Sequence, residues 1–244
     1  MTILSAKKIT KIYDDEKIIE DINIELNKGE IISLLGVSGV GKTTLFNVLS
    51  GILKPDKGNV ILNGNDITGK PGSISYMLQK DLLLPHKKII DNVTLPLIIK
   101  GMKKREARDK ALPLFEQFGL EGCEYKYPCQ LSGGMRQRAA FFRTYMSSAG
   151  VVLLDEPFSA LDTITKASMH RWYSEMTKML DISTIFITHD IDEAIYLSDR
   201  IYVLSGKPGK ITAEISINEA KPRDEEFSFT TEYIAYKKQI IKAL

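Results

Sequence analysis

The octet Gly36-Val37-Ser38-Gly39-Val40-Gly41-Lys42-Thr43 constrains this chain more than any other stretch, because it fits G-x-x-x-x-G-K-[ST] between two segments of different periodicity. Residues Glu30 to Leu35 form a short apolar run ahead of it, and Lys42 to Leu49 follow with helical spacing at Leu45, Val48 and Leu49. The pattern predicts strand, glycine-rich loop, helix. The glycines free the loop for positive φ, so that successive N–H groups from Gly36 to Thr44 close around phosphate oxygens while the helix start adds partial positive charge. Lys42 supplies a point charge to the β- and γ-phosphates, and the Thr43 hydroxyl suits Mg2+, a cation that takes oxygen ligands. A nucleoside triphosphate site is expected, of a kind that kinases, GTPases and many ATPases share.

Two further apolar runs, Val151 to Leu154 and Thr184 to Thr188, are too short for helices and read as parallel strands buried on both faces. Arg200 to Leu204 reads as another. The first run ends in Asp155 and Glu156, which puts two carboxylates at the C-terminal edge of the sheet, beside the phosphates. Asp155 there suits Mg2+ and Glu156 an attacking water, the two adjacent acids pointing in different directions. His189 ends the second run on the same edge. His86 and His170 have no such context and are expected at the surface.

The rest of the chain sets limits. The 33 Lys and Arg against 31 Asp and Glu leave a net charge of only +2, far from the basic balance of a chain that coats nucleic acid, and no direct nucleic-acid partner is expected. Cys123 and Cys129 are too few for a disulfide scaffold or a zinc site and read as ordinary thiols in a reducing compartment. The first ten residues are charged and have no signal-peptide core, and the greasiest stretch, Ile89 to Ile99, is broken by Asp91, Asn92, Thr94 and Pro96. No secretion and no spanning helix are expected, so a membrane role requires a partner. Residues 1–244 read as one α/β unit with a helical insertion at about 81–147, patterned as helix at Arg105 to Phe118 and at Gly134 to Met146. The tail after Gly206 reads as turn-rich and then helical to Leu244, too short for a separate regulatory domain.

Leu131-Ser132-Gly133-Gly134-Met135-Arg136-Gln137-Arg138 opens the second of these helices, with Ser132 as N-cap and two glycines that leave N–H groups bare. It is a second anion-binding terminus in a chain that already has one. With this run the sequence resembles the ATP-binding-cassette (ABC) ATPases, and the resemblance covers nearly the whole chain. The motifs come in the family's order: an aromatic near the start, the phosphate loop, a glutamine, the LSGGQ-type signature, the Asp-Glu strand end, a Ser-Ala-Leu-Asp turn and a histidine. Met135 stands where the family usually has glutamine, and Gln137 follows in the same turn.

The resemblance implies a P-loop ABC ATPase fold, with a mainly parallel core sheet, an antiparallel β subdomain and a helical subdomain. It implies that Tyr13 stacks on adenine, although Tyr13 also reads as an ordinary strand tyrosine. Gln79 would reach Mg2+ or the attacking water, and His189 the γ-phosphate. Leu131, Ser132, Gly133, Gly134 and Gln137 would act in trans on a partner's nucleotide, and Asp162 would both cross the dimer interface and cap the helix from Thr163. ATP and Mg2+ are the implied cofactors, in an ATP-bound homodimer. Its load would be a transmembrane permease docked beside Gln79, where Leu82, Leu83, Leu84 and Pro85 read equally as core or docking surface.

The stretches Met77 to Pro85 and Gly206 to Ile211 further resemble the nitrate, sulfonate, taurine and thiamine-precursor importers. That group implies an extracytoplasmic substrate-binding protein in the same system and a cytoplasmic subunit peripheral on the inner face of the membrane. An exporter ATPase, or a soluble ABC ATPase acting on DNA or ribosomes, remains the alternative; the long coiled-coil insertion or second cassette usual in the soluble types is missing.

Overall fold

A computed structural model describes residues 1–148, 150–223 and 226–244. In chain order the elements are β1 (Thr2–Tyr13), β2 (Glu16–Asn27), β3 (Ile31–Leu35), α1 (Lys42–Leu49), β4 (Lys57–Leu62), β5 (Asn65–Asp66) and β6 (Ser75–Met77). There follow α2 (Ile89–Val93), α3 (Leu95–Ile99), α4 (Lys104–Ala111) and α5 (Gly133–Ser147). The chain then alternates β7 (Val151–Asp155), α6 (Thr163–Met179), β8 (Ser183–Thr188), α7 (Ile191–Leu197), β9 (Arg200–Ser205) and β10 (Lys210–Ser216) before closing on α8 (Thr231–Ala243).

The short apolar runs form the middle of a six-stranded sheet in the order β10-β9-β3-β8-β7-β6. Every residue of β3, β7 and β8 is buried, as a parallel strand covered on both faces requires. The ladder sets Leu35 opposite Thr188 and Asp155 opposite Ile187, so these strands end at one edge. A second, antiparallel sheet, β2-β1-β4-β5, lies over one face, its Ile9, Ile22, Ile24 and Leu26 sharing a core with Phe46 and Leu49 of α1. On the other face the helical segment packs through aromatics: Phe118 stacks on Phe142 at 4.1 Å, and Phe141 meets Tyr173 of α6 edge to face.

Two sequence expectations change. The helix expected over Arg105 to Phe118 stops at Ala111 and passes into a 3-10 turn at Leu112–Leu114. Pro113 has no N–H to give and its ring obstructs the preceding turn, so the α-helical ladder ends there while Phe115 and Phe118 still reach the core. The tail after Gly206 contains a strand, β10, antiparallel to β9 with Ile215 opposite Ile201. Ile211, Ala213 and Ile215 alternate with Thr212, Glu214 and Ser216, the period-2 pattern of a half-exposed edge strand, which the expectation of a turn-rich tail does not include. The segment Leu82 to Pro85 divides: Leu83 is buried in the core, while Leu82 and Pro85 are exposed. Cys123 is buried and Cys129 exposed, both as free thiols.

The Gly206 to Ile211 turn also supports the phosphate loop. Gly209 donates its N–H to the Ile18 carbonyl at 2.9 Å and accepts from the Glu20 N–H at 3.0 Å, and a Cβ on it would lie 2.2 Å from the Val40 carbonyl oxygen. A side chain there has to displace backbone. Gly209→Ala is therefore expected to destabilise the protein by about 1–3 kcal/mol, an overpacking cost measurable as a lower midpoint in thermal or urea unfolding.

Candidate functional site

The loop joining β3 to α1 has the shape that its glycines were expected to allow. Gly39 and Gly41 take positive φ of 81° and 106°. Gly36 is glycine for a different reason, since a Cβ would lie 2.4 Å from the Leu204 carbonyl oxygen of β9. Gly41 begins α1 with no side-chain cap, and Leu45 is the first residue whose N–H returns to it, at 2.9 Å. Val37, Ser38 and Gly39 are exposed around the opening, Val40 is buried beneath it, and Thr43 is exposed on the first helical turn with Thr44 half-buried.

Lys42 is buried, and its Nζ donates to the Gly36 and Val37 carbonyls at 2.6 and 2.9 Å without an ion pair among the described residues. Burial pushes its pKa down, and the negative charges of Glu156 and Asp155 only partly offset this. A buried cation in a ring of loop carbonyls and uncapped N–H groups is set up for an anion.

Asp155 and Glu156 point in different directions, as expected, and the backbone explains how. Glu156 extends the ladder by donating its N–H to the Ile187 carbonyl at 3.1 Å, then turns in the left-handed region at φ 45°. Asp155 faces inward and accepts from the Tyr76 hydroxyl at 3.1 Å. Burial and the nearby Glu156 charge push its pKa up, against the Tyr76 hydrogen bond and the charge of Lys42. The Glu156 carboxylate lies outward between two partners, Gln79 Nε2 at 3.1 Å on one oxygen and His189 Nδ1 at 3.0 Å on the other. Gln79, Glu156 and His189, three residues far apart in sequence, thus meet in an open pocket of about 700 Å³ that Gln137 also lines. The buried Gln137 Oε1 has no hydrogen-bond partner among the described residues.

The other expected residues lie apart from this cluster. Tyr13 is exposed at the end of β1, on the hairpin whose Ile18 and Ile19 pack against Gly41. Ser132 caps α5, accepting from the Met135 N–H at 3.3 Å; Leu131 is buried behind it and Gly133 is exposed in front. Gly134 faces α6, where a Cβ would come 3.2 Å from Thr165 Cγ2. Helix α5 packs on β6, the far edge of the sheet, three strand spacings or about 14 Å from β3, the strand that leads into the phosphate loop. Asp162 caps α6, accepting from the Thr165 N–H at 3.0 Å, and hydrogen bonding from Thr165 holds its carboxyl below the usual range.

His170 departs from expectation. It is largely buried, lies edge-on to Phe158, and has Nε2 3.1 Å from Glu193 Oε1. A helical histidine shows its burial only once the facing helix is placed. Tyr76, Asn92 and Glu193 were also not singled out in the sequence. The fully buried Asn92 accepts from the Leu84 N–H at 2.7 Å and donates to the Leu84, Lys87 and Lys88 carbonyls, shaping the loop after Gln79. No motif marked it.

A matching family and several relatives are known. The ABC transporter family matches residues 19–159. The formylaminopyrimidine import ATP-binding protein ThiZ of Halalkalibacterium halodurans is 39% identical over 98% of this chain and 93% of its own length. An aliphatic sulfonates import ATP-binding protein of Burkholderia cenocepacia is 36% identical over 91% of this chain and 81% of its own. Among solved structures, a dimeric ATP-binding cassette in a post-hydrolysis state with ADP and Pi is 28% identical, with a TM-score of 0.75 over 89% of this chain and all of its own. A cassette of the cbiONQ complex from Clostridium perfringens is 26% identical, with a TM-score of 0.81 over 98% of this chain and 99% of its own.

Because the folded pKa of Asp155 lies above its unfolded value, its charged form is disfavoured in the folded chain at neutral pH, and the penalty is relieved as pH falls through the folded pKa. Asp155→Asn is accordingly expected to raise the thermal midpoint of the nucleotide-free protein at pH 7, with the gain shrinking on acidification. Differential scanning fluorimetry at a series of pH values measures it; an unchanged midpoint at pH 7 contradicts the strain ascribed to this carboxylate.

Proposed function

On the footing that this chain belongs to the ABC transporter family of ATP-binding proteins, we propose that two copies sandwich ATP and that its hydrolysis drives a transmembrane importer. One observation carries the catalytic reading: the Glu156 carboxylate is held between Gln79 and His189 at the sheet edge where the Lys42 loop ends. In this reading Lys42 and the N–H groups from Gly36 to Thr44 hold the phosphates, with Tyr13 against the adenine. Glu156 orients the attacking water and accepts its proton. His189 keeps that carboxylate aimed and reaches the γ-phosphate.

Mg2+ suits the residues present. Thr43, Gln79 and Asp155 offer a hydroxyl, an amide oxygen and one carboxylate, and among the described residues no group of three acidic, histidine or cysteine ligands would hold a cation without the phosphates. Bound with ATP, Mg2+ would neutralise phosphate charge as the γ-phosphate leaves. Gln79 gives its amide N–H to Glu156, which leaves its carbonyl oxygen for that role.

The signature supports a dimer. Its exposed Gly133 and capping Ser132 stand at the start of a helix that packs on the edge strand β6, away from the phosphate loop's β3, so Leu131, Ser132, Gly133 and Gly134 are assigned to the partner's nucleotide, with Asp162 at the interface; Gln137, expected to act with them, is instead buried in the pocket of the chain's own Gln79, Glu156 and His189. The γ-phosphate then contributes contacts that only the closed dimer makes, and its loss shifts the equilibrium toward the open state. Residues 1–244 act as a single cassette with the helical segment at about 81–147 as the arm that meets the permease. Leu78 and Leu82 are exposed beside a small groove floored by Tyr76 and Thr144, which suits a permease helix.

In this reading the permease holds the chain on the inner face of the membrane; no helix among the described residues is long and apolar enough to cross it. An extracytoplasmic binding protein completes the system. The cargo in this reading is a small anion or organic nutrient of the nitrate, sulfonate, taurine or thiamine-precursor kind; relatives named for formylaminopyrimidine import and for aliphatic sulfonates import support it.

Glu156→Gln is expected to lower turnover by about 10²- to 10⁴-fold while ATP still binds, giving an ATP-dependent dimer by size-exclusion chromatography with light scattering. Hydrolysis at the wild-type rate removes Glu156 as the base. Ser132→Arg is expected to abolish hydrolysis with ATP affinity near wild type, whereas Lys42→Ala weakens affinity about 10- to 100-fold. Equal losses of affinity in calorimetric titrations would mean that the signature does not act across an interface. The tagged chain, purified from detergent-solubilised membranes, is expected to bring a multi-spanning protein with it; ribosomal or DNA-repair proteins instead would overturn the transport reading.

A further inference from the structure

The sequence from Asp190 to Glu193 reads as a capping box, in which the N-cap side chain bonds the third helical N–H and the third side chain reaches back to the N-cap N–H. Only half of that box forms. Asp190 Oδ1 accepts from the N–H groups of Asp192 and Glu193 at 2.9 and 3.1 Å, but Glu193 turns away from the helix start and is buried. One of its oxygens accepts a hydrogen bond from the Thr188 hydroxyl; the other faces His170 Nε2 at 3.1 Å and Lys166 Nζ at 3.5 Å. The Asp190 N–H goes instead to Thr188 Oγ1 at 3.0 Å, and Lys166 also holds Asp190 Oδ2 at 2.6 Å.

Both neighbours of His189 are therefore pinned from behind, Thr188 by Glu193 and Asp190 by Lys166, while the His189 imidazole projects the other way onto Glu156. Helix stability does not require this carboxylate, because Asp190 already caps α7. A carboxylate taken out of water and given three partners, two of them on α6, fixes the backbone on which His189 stands. Lys166 and His170 lie one and two turns into α6, the helix that Asp162 starts at the proposed interface. We propose that Glu193 is a positioning residue for His189, acting through Thr188, and that its anchorage on α6 ties the histidine to the Asp162 turn. The consequence for turnover rests on the reading of His189 as a contact of the γ-phosphate; the positioning itself does not.

Two readouts separate these. The chain has three histidines, so the His189 imidazole can be assigned in histidine-labelled NMR spectra by single substitution. Without nucleotide, Glu193→Ala and the near-isosteric Thr188→Val are both expected to shift or broaden that signal, and Thr188→Ser, which keeps the hydroxyl, to restore it. In steady-state hydrolysis the same two variants are expected to lose about tenfold in kcat with KM little changed, and Glu193→Ala should add nothing further in a His189→Ala background. Thr188→Val leaves Glu193 with Lys166 and His170, so it keeps the test valid if Glu193→Ala does not fold. An unmoved His189 signal in Thr188→Val overturns the proposal, as does a loss that adds fully to that of His189→Ala. Normal turnover of His189→Ala alone would overturn the catalytic reading of the histidine while the NMR result still decides its positioning.

Discussion

The parallel ladder that sets Leu35 opposite Thr188 and Asp155 opposite Ile187 is the constraint on which the remaining features depend. Strands buried on both faces have little freedom to slip, because a shift of one residue would reverse every side chain between two packed faces. Their C-terminal ends are consequently fixed at one edge, and the chain leaves that edge three times: into the phosphate loop, into Glu156 and into His189. Chemistry gathered from three distant segments inherits its geometry from backbone hydrogen bonds.

On that edge the site is built under strain. Lys42 is buried among carbonyls, Asp155 carries a carboxyl whose charge burial opposes, and Glu156 sits at positive φ. Each is unfavourable in the protein alone. A bound anion would offset the first penalty and a cation the second, so the proposed nucleotide site matches the charges that burial disfavours there. The same design places support behind the edge. Gly209 supports the phosphate loop from below, and Glu193 with α6 supports the histidine loop. Neither touches the pocket.

Much of this was legible in the sequence because the decisive signals are local. The phosphate loop needs its glycines, lysine and threonine within eight positions, and the buried strands need unbroken apolar runs, so β3, β7, β8 and β9 were bounded to within a residue or so. Ser132 and Asp162 were legible as N-caps because a cap is a relation between residues three apart. Signals weaken where the partner is distant. Strand β10 is an exception, since Ile211, Ala213 and Ile215 alternate with polar residues and the reading of the tail as turn-rich passed over that period-2 signal; the helix over Arg105 to Phe118 was read past Pro113 because Phe115 and Phe118 kept the apolar spacing that aromatic packing, not helix, requires.

The sequence by itself determined that the chain is a phosphate-binding α/β ATPase of the cassette type, since the order and spacing of short motifs specify strand ends and helix starts through backbone chemistry. Only the tertiary structure decided which side chains serve the edge from behind. Asn92 looked like an interruption of an apolar run and organises the loop after Gln79; His170 looked like a surface histidine and is packed on Phe158 and paired with Glu193; Tyr76 carried no signal of its own and holds Asp155. A polar side chain has no periodicity that distinguishes a buried partner from water. Its role is settled by what faces it across the fold, and that is a property of packing between segments far apart in the chain.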